Sequence, residues 1–273
     1  MKNLITRALT GIVFIAVVVG GICIHPYTFL SLFLLVVGLS LWEFYGFVKN
    51  NNKVIHKIIG ILGGMYLFAA SFFYAGGYTS SNVFLPYLFF LLLILITGLY
   101  HKSENPVNDW AISLFAQLYC AGLFSLLNFI VFEPDYSYNP YYVLLIFIFV
   151  WLNDTGAYLV GSAFGKHRFF PRISPKKSWE GFWGGLIITI AASQLFAWYF
   201  PDELMWFDWL FISILIVLFG TWGDLVESLM KRTYGVKDSG QLLPGHGGIL
   251  DRLDSVMLAT PAVLLYLEFF IRN

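Results

Sequence analysis

The sequence predicts an all-α, polytopic integral membrane protein with about nine transmembrane helices. Three observations carry that expectation. The chain is 59% hydrophobic and only 12% charged, where soluble domains carry about a quarter charged residues. Apolar runs of about 20 residues recur along its whole length, each enough to cross about 30 Å of hydrocarbon at about 1.5 Å per residue. When the runs are threaded back and forth from an N-terminus on the inner side, every one of the 16 Lys and Arg residues except Arg272 falls inside. The positive-inside rule requires such a bias, and one missed or invented span would scramble it.

The spans follow in order. Leu4–Ile24 carries Arg7 behind Lys2 and ends in Ile22-Cys23-Ile24-His25-Pro26, which offers no small-x-small cleavage site, so it reads as a retained helix. Pro26 breaks it, and Tyr27–Val48 follows at once. The run Asn50-Asn51-Asn52 is a turn before Ile55–Tyr74, and Gly76–Asn82 is a turn before Val83–Tyr100. Trp110–Phe132 is the fifth span; Glu133–Asn139 leads into Tyr141–Phe164. Gly181–Phe200, Leu204–Gly223 and Val256–Ile271 complete the set. Outer loops are short and rich in Gly, Pro, Ser and Asn. Two inner ones, Gly165–Glu180 and Lys231–Ser255, are long and carry both charges, which is where function is expected. Residues 1–140 are expected to form an N-terminal transmembrane region and 141–273 a C-terminal one, in a cell membrane with the long charged loops facing the cytoplasm. Cys23 and Cys120 both fall in apolar stretches and read as small core residues, with no metal-binding spacing.

Three polar clusters stand out against this background. The first is Asn153-Asp154-Thr155-Gly156-Ala157-Tyr158, inside the sixth span. A carboxylate at membrane depth costs several kcal/mol unless paired, metal-bound or wetted, so Asp154 is either functional or ion-paired with a loop lysine. The second is Ser174-Pro175-Lys176-Lys177-Ser178-Trp179-Glu180-Gly181. Ser178 can cap the next helix, and two lysines beside a helix N-terminus suit a phosphate. The bland alternative is an ordinary anchor to anionic lipid. The third begins at Asp224, Glu227, Ser228 and Lys231, spaced along one helix face. It continues through Arg232, Lys237 and Asp238 to Pro244-Gly245-His246-Gly247-Gly248, then Asp251, Arg252 and Asp254. Carboxylates at two helix ends, basic side chains and a Gly-rich turn with free N–H groups suit a hard cation bridging to phosphates. A salt-bridged loop closing a helical hairpin would explain the charges but not the glycines. Nothing in the sequence points to nucleic acid.

These residues closely resemble the phosphatidate cytidylyltransferase (CDP-diacylglycerol synthase) family. Its pattern Ser-x-x-Lys-Arg-x4-Lys-Asp-x5-Pro-Gly-His-Gly-Gly-x-x-Asp-Arg-x-Asp is met without a gap from Ser228 to Asp254. The pieces at Asn153–Tyr158 and Ser174–Gly181 also look like the family, while the N-terminal spans match only as apolar helices. The resemblance implies transfer of a cytidylyl group from CTP to phosphatidic acid, giving CDP-diacylglycerol and pyrophosphate, in a membrane-embedded homodimer dependent on Mg²⁺. Under it, Asp224 and Asp251 are expected to ligate the metal, with Asp254 a further or supporting ligand. Lys176, Lys177, Lys237 and Arg252 are expected to hold phosphates, and His246 to assist departing pyrophosphate. Asn153 and Asp154 would order the nucleotide or a second cation, with Ser228, Lys231, Arg232, Gly247 and Gly248 also lining the substrate site.

Rival readings differ in sequence. Polyprenol or phytol kinases and archaeal-type lipid cytidylyltransferases are expected to lack the complete Pro-Gly-His-Gly-Gly loop. An anion transporter would favour broken helices at the bilayer midplane and repeated halves, and the chain has neither.

Overall fold

The computed structural model describes residues 2–48, 54–100, 102–242 and 247–272, with side chains from residue 9 onward and not those of 54–56. Long helices dominate. They are α1 (Lys2–Cys23), α2 (Pro26–Phe47), α3 (Val54–Ala75), α4 (Leu85–Leu99), α5 (Pro106–Val131), α6 (Tyr141–Phe164), α7 (Trp179–Tyr199), α8 (Trp206–Thr233) and α9 (Leu250–Ile271). Among the described residues, eight helices are long and apolar enough to cross a membrane, and Leu9–Cys23 of α1 is a shorter apolar helix. Each expected span therefore has its helix. The expected turn at Asn50–Asn52 and the basic residues Lys49 and Lys53 lie outside the described residues.

Local chemistry sets the ends. His25 Nδ1 accepts from Tyr27 N at 3.2 Å, with Pro26 opening α2. Asn105 Oδ1 accepts from Asn108 N at 3.2 Å ahead of Pro106 in α5. Each cap satisfies an N–H that the helix cannot, and proline at the first position lacks the donor that would be orphaned. Two helices contain π turns, α5 at Gln117–Gly122 and α9 at Leu267–Ile271.

Chain contacts divide the molecule into two compact units. The first comprises residues 1–143 and 234–253. Its core is aromatic, with Phe29, Phe33, Phe68, Phe72 and Phe124 fully buried. Asn128 ties α5 to α3, its Nδ2 donating to Ser71 Oγ at 2.7 Å and to Phe68 O at 3.1 Å. The polar segment Tyr234–Leu253 belongs to this unit.

The second unit comprises residues 144–233 and 254–273. Here α6 and α7 meet through glycines. A Cβ on Gly156 would lie 3.1 Å from Gly185 Cα, and one on Gly181 would lie 2.8 Å from Ala157 O. Only small residues allow helix backbones so close. Phe149, Phe196 and Trp209 join α6, α7 and α8 in an edge-and-tilt stack.

The inner segment 165–180 is more ordered than its composition suggests. Arg168–Phe170 (β1) and Ser174–Ser178 (β2) pair as an antiparallel hairpin, Arg168 opposite Ser178. Pro175 is tolerated because a two-stranded ribbon consists of edges. Glu180 fastens the base of the hairpin to α7: its carboxylate accepts from Lys166 N at 3.1 Å and His167 N at 3.2 Å, and contacts His167 Nδ1 at 2.6 Å.

Candidate active site

The second unit holds a cavity of about 510 Å³. Helix α6 supplies Asn153 and Asp154, the hairpin supplies Arg168, Lys176 and Lys177, and α8 supplies Asp224. Small residues form part of its wall: Gly161 and Gly181 line it where α6 and α7 approach closely. Ser178 caps α7, its Oγ accepting from Gly181 N at 3.1 Å. Lys176 and Lys177 therefore precede that helix on a strand, where successive residues differ in environment. Lys176 is exposed, whereas the half-buried Lys177 places Nζ 2.5 Å from Asp224 Oδ2. Thus the lysine pairs with Asp224, the α8 acid, although the sequence had offered Asp154 as a partner.

On α8 the expected face is realised. Ser228 Oγ donates to Asp224 Oδ1 at 3.1 Å, and Lys231 Nζ donates to Glu227 Oε2 at 2.7 Å, one turn on. Glu227 is fully buried and Lys231 nearly so. Such a pair keeps its place only because each partner answers the other's burial. Arg232 turns away and donates Nε to Ile173 O at 3.4 Å, holding the hairpin turn. Ser228, Lys231 and Arg232 do not line the cavity; they hold its wall.

Asp254, on α9, is buried and lies within electrostatic reach of Asp224, Glu227 and Asp154. Gly223 makes this possible, since a Cβ there would collide with the Asp254 carbonyl. Asn153 Oδ1 is buried and has no hydrogen-bond partner among the described residues. Acids from α6, α8 and α9 thus come near one another, and carboxylate oxygens are the donors a hard cation takes. Among the described residues no three His, Cys, Asp or Glu groups converge on one point. A cation here would complete its shell with Asn153, substrate oxygens or water.

The glycine-rich segment is built within the first unit. Asp251 accepts from Ser239 N through both oxygens, at 3.1 and 3.0 Å, and from Gly248 N at 2.8 Å. Gly247 has φ +83°, a left-handed turn natural to glycine. Lys237, Asp238 and Arg252 are exposed. Pro244, Gly245 and His246 lie outside the described residues, so the expected role of His246 has no structural counterpart here. Asp224 and Asp251, expected to share an ion, belong to different units.

One residue escaped the sequence reading. Glu43, near the C-terminal end of the apolar α2, is 4% exposed, and its carboxylate accepts from Ser239 Oγ at 3.0 Å, Ile249 N at 3.0 Å and Leu250 N at 2.9 Å. A lone carboxylate inside an apolar span was the available signal.

Comparison with known proteins bears on this chemistry. The model of the cytidylyltransferase family matches residues 5–270. The chain belongs to that family. Among curated relatives, the cytidylyltransferase chain is 33% identical to phosphatidate cytidylyltransferase of Haemophilus influenzae, covering 97% of this chain and 98% of that one. It is 33% identical to the Bacillus subtilis protein of the same name, covering 98% of each. The Staphylococcus haemolyticus phosphatidate cytidylyltransferase is 37% identical over 80% of this chain and 82% of its own.

Proposed function

We propose that this protein is a membrane phosphatidate cytidylyltransferase, converting CTP and phosphatidic acid to CDP-diacylglycerol and pyrophosphate. The observation that carries the reading is the cavity in which Lys176, Lys177 and Arg168 face Asp154 and Asp224. Cations that can take phosphate oxygens sit beside carboxylates that can take a metal. Family membership and the names of the relatives support it.

The chemistry asks little of a general base. A phosphate oxygen of phosphatidic acid, already anionic, attacks the α-phosphorus of CTP. The new P–O bond forms as the α–β bridge breaks, and the bridging electrons leave on pyrophosphate. Catalysis is positioning and charge neutralisation. Lys177 and Arg168 hold phosphate oxygens, and Ser228 orients Asp224 through its hydrogen bond. We propose Mg²⁺ as cofactor: Asp224 and Asp254 would hold it, and when bound it would neutralise phosphate charge. A cell-membrane location with the cavity open toward the cytoplasm follows from the distribution of basic residues. There the lipid headgroup at the inner leaflet and CTP from solution can reach one place. A homodimer is part of the proposal, checked by mass measurement in detergent.

The direct test supplies purified protein with CTP, Mg²⁺ and phosphatidic acid in mixed micelles. CDP-diacylglycerol and pyrophosphate should appear in equal amounts. Absence of both under conditions where the protein stays folded would remove the reading.

A further inference from the structure

We propose that Glu43 is a positioning residue for the transfer reaction: it fixes the glycine-rich polar segment that carries Lys237 and Asp251. The inference rests on the transferase reading. Ser239 and Ile249–Leu250 are ten residues apart in that segment, and the Glu43 carboxylate accepts from both, from Ser239 Oγ and from Ile249 and Leu250 N. Asp251 bridges the same ends from the other side, through Ser239 N and Gly248 N. Two carboxylates therefore hold residues 239 and 248–250, one from within the segment and one from a helix about 200 residues earlier in the chain.

The glycines take their reason from the same contact. A Cβ on Gly240 or on Gly248 would collide with the Glu43 carboxylate. Their place in the segment is set by the need to bring backbone against a buried acid. Capping of α9 alone would require only the Ile249 and Leu250 amides; the Ser239 contact adds nothing to the helix and acts on the loop. Hydrogen bonds to a charged acceptor are strong in a dry setting. Held this way, the segment presents its exposed Lys237 and the oxygens of Asp251 in one arrangement.

The experiment compares wild type, Glu43→Gln and Ser239→Ala, purified in detergent and assayed with CTP, Mg²⁺ and phosphatidic acid. Glu43→Gln keeps shape but offers an NH₂ to donors that need an acceptor. It should raise the KM for CTP about tenfold or more, the scale of one lost charged hydrogen bond, in a variant that still folds. Ser239→Ala should raise it less, and it stands in if Glu43→Gln does not fold. Unchanged KM in the folded variants, with loss only of kcat or stability, would assign Glu43 to packing and overturn the proposal. Amide hydrogen exchange over residues 247–251 is read in parallel and does not depend on turnover. Faster exchange in Glu43→Gln supports the anchor, and unchanged exchange overturns it. A wild type that makes no product would sink the transferase reading while exchange still decides the anchor.

Discussion

Lys177 Nζ lies 2.5 Å from Asp224 Oδ2, a pair that joins the hairpin to α8 at the wall of the cavity. Both side chains keep about 30% of their surface exposed, so the pair is open to exchange and little of its value is static stability. A metal-bound triphosphate offers each partner a better match, an oxygen for the ammonium and an ion for the carboxylate. Under the proposed function, the pair would open as substrate loads.

Asp224→Asn removes the charge while leaving the amide oxygen able to accept from Ser228. Turnover should fall by about 10²-fold or more, on the scale of losing one charge-stabilising group, with the thermal midpoint in detergent retained. Near-normal activity would take Asp224 out of the metal site.

Lys177→Ala should act mainly on the nucleotide, raising the KM for CTP more than that for phosphatidic acid. An effect confined to the lipid would reassign the hairpin to headgroup binding.

Asp251→Asn replaces one acceptor oxygen with an NH₂ that meets the Ser239 and Gly248 amides. The loop should loosen and product formation should be lost; circular dichroism should remain that of a folded helical protein. Retained activity would show that neither the brace nor a ligand role at Asp251 is needed.

Much of this was readable in advance. The nine apolar runs became helices because each alone satisfies its backbone in hydrocarbon. The Asp224–Ser228 and Glu227–Lys231 contacts came from spacing on one helix. The hairpin was not legible, since Ser174-Pro175-Lys176-Lys177 carries no alternation of apolar and polar residues. Glu43 was hidden for another reason. Its partners lie some 200 positions away, and its neighbours on α2 read only as membrane. The pairing of Lys177 with Asp224 likewise depends on the strand that carries the lysine, which the sequence did not predict.

Gly185→Ala tests the helix packing that shapes the cavity. Its Cβ would collide with Asn153 Oδ1 and lie 2.8 Å from Asn153 O. Overpacking of this kind costs about 1–3 kcal/mol, so the thermal midpoint should drop. Gly46→Ala, whose Cβ meets nothing within 4 Å, should leave it unchanged or raise it. Equal midpoints for both variants would show that α6 and α7 can part without cost.

Removal of divalent ions addresses the cofactor. Chelation should abolish product formation, and added Mg²⁺ should restore it; full activity in excess chelator would exclude the ion from the reaction.

The most direct measurement follows the phosphorus of CTP. Purified protein is given phosphatidic acid with CTP labelled at either the α- or the γ-phosphate, and the lipid is extracted. Cytidylyl transfer places the α label in the lipid and the γ label in pyrophosphate. Label from the γ-phosphate in the lipid would identify a kinase and contradict the account.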